Sequence, residues 1–203
     1  MRKQSPKSQP NKQEPGRPRD PEVERRILTV ALQHLITQGF ARMSIDAIAA
    51  EAGVSKPTIY RRWEGKADLA TAALCELRFA EPALKGTTAK ERLTALLRNF
   101  RTSLFRPHGM ALIGTVLAEE EHTPDLLRLF RERLVEPRRA MVREILKQAH
   151  HAGEIRSDAD LEPAISMLIG SFYAAYLAGG PPEPHWPERT VELIFTGLQN
   201  HSR

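Results

Sequence analysis

The sequence predicts an all-α protein of about nine helices, and three observations predict it. Phe, Tyr and Trp make up only 6% of the 203 residues, whereas Ala, Leu, Arg and Glu recur throughout, a composition that favours helix over strand. Apolar residues return every three or four positions in stretch after stretch, and no stretch shows the strict alternation of a strand. Helix-start signals, in which Asp, Ser or Thr precedes Pro or an acidic residue, stand ahead of several of these stretches. A hydrophobic content of 41% is enough for a buried core in one large domain or two small ones.

Residues 1–18 carry no aliphatic side chain after Met1 and cannot offset the entropy of ordering. We therefore expect a disordered basic arm over 1–19, without the apolar stretch of a signal peptide or anchor. Order is expected from Asp20-Pro21-Glu22, an N-cap, a first-turn proline and an acidic first turn. Val23, Ile27, Leu28, Ala31, Leu32 and Leu35 form one apolar face until Gly39 stops the helix and Phe40 folds back. Thr88-Ala89-Lys90-Glu91 is a capping box ahead of Leu93, Leu96, Leu97, Phe100 and Leu104. Thr123-Pro124-Asp125 opens a helix carrying Leu127, Phe130 and Leu134, which Pro137 is expected to kink or interrupt before it reaches His151 and closes at Gly153. A strongly apolar helix follows from Leu161 and ends at Gly179-Gly180-Pro181-Pro182. A last one starts near Pro187 and carries Val191, Ile194, Phe195 and Leu198.

Charge is unevenly spread. Up to Lys66 there are 13 basic and 7 acidic residues; the remainder has 17 and 18. A basic surplus confined to one end suits a polyanion-binding module joined to a neutral one, because Lys and Arg near phosphate release counterions. A merely solubilising basic tail gives the same count. The single cysteine, Cys75, excludes an internal disulfide and suits a reducing cytoplasm. Nowhere do eighteen apolar residues run together, and Ile165 to Ala178 is interrupted by Ser166, Gly170 and Ser171, so a soluble protein without a membrane partner is expected.

Between Ser44 and Trp63 two short helices meet across a tight turn. Ser44 is placed to cap the first, Asp46 sits in its positive first turn, and Ile45, Ile48, Ala49 and Ala52 share a face. Gly53 ends it in the left-handed conformation. Ser55 starts the second, with Val54 packing on Ile59 as a hydrophobic staple. Lys56, Thr58, Tyr60 and Arg61 then point outward from a helix of a size that fits a major groove. Trp63 and Arg62 read better as a core aromatic and a surface partner.

Gly16-Arg17-Pro18-Arg19, the amphipathic helix after it, and the run Ser44-Ile45-Asp46-Ala47-Ile48-Ala49-Ala50-Glu51-Ala52-Gly53-Val54-Ser55-Lys56-Pro57-Thr58-Ile59-Tyr60-Arg61-Arg62-Trp63 together resemble the TetR-family DNA-binding domain. The resemblance implies a homeodomain-like helix-turn-helix over 20–66 and a helical ligand-binding and dimerisation domain over 67–203. It implies DNA contacts for Lys56, Pro57, Thr58, Tyr60 and Arg61, with Ser55 at the head of their helix, and phosphate contacts for Ser44 and Lys66. Pro57 departs from the Ala or Gly of many relatives, but a first-turn proline is sterically allowed and offers an apolar surface to a thymine methyl. Arg17 and Arg19 are candidates for a minor-groove arm or are plain disordered charge.

By the same resemblance the last two helices pair with their twofold mates, which makes Ile165, Leu168, Ile169, Phe172, Tyr176, Val191, Ile194, Phe195 and Leu198 dimer candidates; completing the core of a single chain is the competing role. Candidates for an effector pocket are Phe100, Leu104, Met110, Ile113, Leu117, Phe130, Met141, Met167 and Tyr173, since Met and aromatic side chains make adaptable apolar walls, and each of these also suits plain core packing. The implied function is a repressor released from palindromic operator DNA by a small molecule, with motion passing along a helix from Lys66 to Phe79. No nucleophile elbow, phosphate loop or dinucleotide fingerprint points to an enzyme or a cofactor. Glu119, Glu120, Glu121 and His122, with His150 and His151, raise a metal-sensing alternative, but acidic runs are usually solvated and we assign no metal. A DNA binder of purely architectural role is the remaining alternative.

Overall fold

The computed structural model describes residues 20–76, 86–180 and 182–199, and these contain helices and turns with no strand. Arg17 and Arg19 lie outside the described residues. The helices are α1 (Pro21–Arg42), α2 (Ile45–Glu51), α3 (Lys56–Tyr60), α4 (Lys66–Cys75), α5 (Ala89–Phe105), α6 (Gly109–Ala118), α7 (Pro124–Phe130), α8 (Glu136–His151), α9 (Leu161–Gly179) and α10 (Trp186–Leu198). A π-helical turn, Arg131–Val135, joins α7 to α8 without a break. Counting that run as one gives nine separate helices among the described residues.

The caps form as the side chains dictate. Asp20 accepts the Glu22 N–H at 3.0 Å, and Thr88 and Glu91 close both halves of their capping box. Gly39 takes φ +75°, which breaks α1 near its end and lets Phe40 turn back into the core at 2% exposure. The expected interruption at Pro137 takes the form of the π-helical turn. Pro137 has no N–H for the Arg133 carbonyl and its ring crowds that oxygen; the turn widens, and the Glu136 N–H bonds to the Arg131 carbonyl five residues back.

Two apolar clusters organise the described residues. The first joins α1–α4 to α6 and α7 through Ile27, Leu35, Ile48, Ile59, Leu69, Leu126 and their neighbours. The second fills a bundle of α5, α8, α9 and α10 around Phe172, with Leu93, Leu97, Ile145, Leu146 and Phe195. Phe172 meets Phe100 edge-on at 5.4 Å and Trp186 at 5.5 Å between centroids. The Trp186 indole N–H also donates to the Ser171 hydroxyl at 3.2 Å. Outside the bundle Lys90 pairs with Glu192 at 2.8 Å and Arg92 donates to Gln148 at 2.6 Å.

This packing corrects most of the expected dimer residues. Ile165, Leu168, Phe172, Val191, Phe195 and Leu198 are buried in the chain's own core, Ile194 is half-buried against it, and Ile169 lines an internal cavity. Tyr176 stays partly exposed while stacking on Phe172. The reason is that α9 is apolar on nearly every side, so periodicity alone cannot divide its faces between core and surface. The exposed apolar positions are instead Met167 (59%), Leu177 (83%) and Leu193 (74%). The 19-residue α9 is long and apolar enough to cross a membrane by length and composition, contrary to the expectation that no stretch would qualify; Ala164, Ile165, Leu168 and Phe172 occupy one side of it in the core.

Glu162 at the head of α9 accepts from Arg143 at 2.5 Å and from Arg139 at 2.9 Å, clasping α8 to α9. The Arg143 hydrogen bond, then that of Arg139, lowers the Glu162 pKa from 4.5 to about 2. A lowered folded-state pKa stabilises above the unfolded value and loses that contribution as pH falls through the folded one. Wild type is therefore expected to melt above Glu162→Gln at neutral pH, with the gap closing between pH 4.5 and about 2. Thermal melts across that range check it, and a gap constant with pH would remove the clasp from the stability of the bundle.

Candidate nucleic-acid interface and ligand cavity

Helix α3 has two unlike sides. Ile59 is fully buried and Trp63, just beyond the helix, is 6% exposed; Val54 packs against the same cluster. Gly53 turns the chain between α2 and α3 at φ +63°, a conformation that L side chains rarely adopt. The other side carries Ser55, Lys56, Pro57, Tyr60 and Arg61, all exposed, with Thr58 half-buried among them. Tyr60 keeps 53% of its surface open. Arg61 donates to the Thr58 hydroxyl at 3.0 Å, which lies 2.9 Å from the Ser55 hydroxyl, so three of the expected contact residues form one polar row. Arg62 turns back to the Thr58 carbonyl at 3.0 Å, in keeping with a structural role.

Neighbouring helices hold this unit in place. Arg26 on α1 donates to the Ala52 carbonyl at 2.7 Å, and His34 on α1 lies 3.0 Å from the Glu51 carboxylate on α2. The Lys56 ammonium pairs with Asp46 across the turn. Both partners are exposed, so the pair is weak. Ser44 caps α2 with a long contact to the Ala47 N–H, 3.5 Å. Ser55 occupies the cap position of α3 but makes no side-chain cap bond, because its hydroxyl is tied to Thr58. Lys66 differs from expectation: its ammonium donates to the carbonyls of Phe40 (3.0 Å) and Ala41 (3.2 Å) and lies 4.4 Å above the Phe40 ring. A cation at the carbonyl end of α1 satisfies groups the helix leaves open.

In the second half of the chain a cavity of about 90 Å³ lies between α5, α6, the α7–π–α8 run and α9. Five of the expected residues line it: Phe100, Ile113, Phe130, Met141 and Tyr173. Four do not. Leu104 and Met110 border a separate open cleft, while Leu117 (53%) and Met167 (59%) face outward. Tyr173 is largely buried, which raises its pKa. Among the described residues no group of three or more His, Cys, Asp or Glu is placed to hold a metal; His150 lies 3.2 Å from the Ser157 carbonyl and His151 2.8 Å from that of Lys147.

Residues 27–73 match the family model of bacterial regulatory proteins of the tetR family. Residues 86–194, more than half of the chain, match the tetracyclin repressor-like C-terminal domain. The chain belongs to the TetR family. The uncharacterized HTH-type transcriptional regulator YdeS of Bacillus subtilis (strain 168) is 30% identical over 190 residues, spanning 91% of this chain and 93% of that protein. The crystal structure of the TetR family transcription regulator SCO0332 is similar, with TM-score 0.64 and 26% identity over 88% of this chain and 100% of that one. FadR from Bacillus subtilis, solved in complex with stearoyl-CoA, has the same fold, with TM-score 0.67 and 21% identity over 86% and 99%. This is a helix-turn-helix DNA-binding transcriptional regulator, not an enzyme.

For a TetR-family chain, the lining residues that sequence reasoning missed are informative. Leu96, Leu97 and Asn99 share the cavity side of α5 with Phe100, and Leu134, Val135, Arg138 and Val142 continue the wall beyond Phe130. Helical spacing from Phe100 and Phe130 was signal enough for the apolar ones. Asn99 and Arg138 carry polar groups that composition assigns to solvent.

The two lysines of this region are expected to separate in a denaturation experiment. Lys66→Met removes hydrogen bonds to two carbonyls and should cost about 1 kcal/mol of stability. Lys56→Ala removes an exposed pair and should change it by less than about 0.5 kcal/mol. Urea unfolding of both variants gives the comparison, and equal stabilities would deny Lys66 its part in holding the end of α1.

Proposed function

We propose that this regulator is a cytoplasmic, dimeric repressor that grips a pseudo-palindromic operator with one α3 helix per subunit and lets go when a small molecule occupies the cavity. The observation that carries the DNA reading is the outward row of Lys56, Pro57, Thr58, Tyr60 and Arg61 on a helix anchored from beneath by the buried Ile59. Side chains of this kind reach base edges, and the ammonium and guanidinium reach phosphate. Ser44, at the head of α2, is proposed as a phosphate contact. For Lys66 only the backbone N–H is proposed for that role, because its ammonium is engaged at Phe40 and Ala41. Arg17 and Arg19 are proposed as arm contacts in the adjacent minor groove.

The exposed stripe on α9 and α10 supports the dimer. Pro163, Met167, Gly170, Ala174 and Leu177 fall on one side of α9, and Leu193 and Gly197 on the open side of α10. Large apolar side chains beside small ones suit close helix pairing. The stearoyl-CoA complex of FadR supports a ligand role for this regulator, since a protein of this fold binds a small molecule.

A physical link joins cavity and DNA helix. Leu134 and Val135 line the cavity from the π-helical turn, and Arg133 on the same turn donates to Asp68 on α4 at 2.5 Å. The second Asp68 oxygen accepts the Glu64 N–H at 2.8 Å, in the turn that follows α3. A ligand that moves the π-helical turn therefore pulls on the loop that sets the angle of α3. Operator affinity falls by the difference in ligand affinity between the two arrangements.

Selection of binding sites from random duplex DNA is expected to return a twofold-symmetric motif. Tyr60→Ala and Lys56→Ala should each weaken binding to it roughly tenfold or more, and Lys56→Ala should also lower the salt slope by about one. Recovery of no motif, or wild-type affinity in both variants, would reject the assignment of α3. Leu177→Glu with Leu193→Glu should yield monomers in sedimentation and lose the symmetric site; a dimer that survives both places the interface elsewhere.

A further inference from the structure

The cavity wall is almost wholly apolar. Among the thirteen described residues that line it, ten are hydrocarbon or thioether in character. No Asp or Glu is among them, and Arg138 already interacts within the chain. Asn99 and Tyr173 bring the uncharged polar groups. Among the described residues neither the Asn99 amide nor the Tyr173 hydroxyl has a hydrogen-bond partner; the Ser103 hydroxyl reaches only the Asn99 backbone carbonyl. The Tyr173 ring is held on two sides, meeting Phe100 edge-on at 6.0 Å and Phe172 at 5.8 Å between centroids. Burial raises the pKa of its hydroxyl, which is therefore a hydrogen-bond donor at neutral pH. Asn99 sits one residue before Phe100 on α5, so both polar groups stand beside one aromatic side chain.

From this arrangement we infer that the effector is an uncharged, mostly apolar molecule whose oxygen acceptor, a carbonyl in the simplest case, is held by the Tyr173 hydroxyl and the Asn99 amide. This rests on the cavity being the effector site. A carbonyl oxygen has two lone pairs and can accept from a phenol and an amide together. Polar groups without a partner in an apolar wall are costly, and a ligand that pairs them recovers that cost. A hydrocarbon of the same outline leaves them unpaired and is rejected on that ground. A carboxylate could accept the same two bonds, but it has to leave water for a wall whose hydrogen-bonding groups open to it are neutral. The apolar remainder takes a hydrocarbon or aromatic body, with Met141 adapting to its outline. Tyr173 is then the residue that selects ligands by their polar group, while the apolar wall sets only size.

Three probes that share one ring separate the possibilities: acetophenone, ethylbenzene and benzoate, titrated calorimetrically into the full-length protein. Wild type should bind acetophenone, and should bind benzoate more weakly. Tyr173→Phe removes the hydroxyl and keeps the ring. It should lower acetophenone affinity roughly tenfold, as expected for the loss of a buried hydrogen bond, and leave ethylbenzene unchanged, which also shows that the variant is folded. Asn99→Leu should weaken acetophenone and spare ethylbenzene in the same way. Unchanged acetophenone affinity in Tyr173→Phe, an equal loss for ethylbenzene, tighter binding of benzoate than of acetophenone by wild type, or binding of no probe would each overturn the inference. Release of the selected operator is measured separately. Acetophenone that binds through Tyr173 but leaves the operator complex intact would sustain the hydrogen-bond selection and sink the ligand-responsive reading.

Discussion

A helix of five residues cannot hold its own shape in water, where even good helix formers need about 12–15. Everything assigned to α3 therefore depends on what lies under it. Ile59 and Trp63 are buried at its inner side, and each such side chain contributes on the order of 1.5–3 kcal/mol on leaving water. That burial, together with the left-handed turn at Gly53, fixes the helix without drawing on its outer residues. The outer side chains are consequently free of packing duties. The proposed DNA contacts of Lys56, Thr58, Tyr60 and Arg61 rest on this division.

The support beneath α3 does not stop at the boundary placed at residue 66. Leu69, Ala70, Ala73 and Leu74 of α4 share an apolar cluster with α1 on one side and with Leu126, Leu127 and Phe130 of α7 on the other. Helix α4 is therefore packed from both directions and belongs to both halves. Ile113 touches both clusters. A regulator built this way cannot rearrange its second half without load on the first, since packed interiors transmit displacement rather than absorb it. The Asp68–Arg133 bond adds a polar connection to that apolar one.

How legible this was in the sequence depended on how local the determinants are. The turn at Gly53, the inward Trp63 and the capping box at Thr88 are set by residues close to one another in the chain, and the structure has them as read; Val54 packs against the cluster that holds Ile59. The apolar faces of α9 and α10 are not local. Ile165 and Met167 look alike to any hydropathy count, yet one is buried in the bundle and the other is open, a choice made by α5, α8 and α10, which pack against α9 from other parts of the chain. The place of the Lys66 ammonium was hidden for the same reason: its carbonyl partners lie 25 and 26 residues earlier. Of the cavity, the side chains on an obvious apolar stripe were found, while Arg138 and Asn99 were missed because a polar residue in an amphipathic helix ordinarily marks the solvent side.

The size of the cavity bears on how the two halves communicate. A space of about 90 Å³ is smaller than the roughly 300–1,000 Å³ of sites that hold drug-sized ligands, so an effector of that size has to displace a wall. The walls are unequally held. Helices α8 and α9 are clasped through Glu162, and α5 is tied to α8 by Arg92 and Gln148. The π-helical turn has a hydrogen-bond pattern that is intrinsically rare and tends to occur at functional positions. Regularising it shifts Leu134 and Val135 relative to the cavity, and Arg133 moves with them. On the proposed mechanism the small cavity is then the DNA-binding arrangement, and the ligand has to work against the bond between Arg133 and Asp68 to enlarge it. The strength of that bond sets how much binding energy is diverted into releasing the operator.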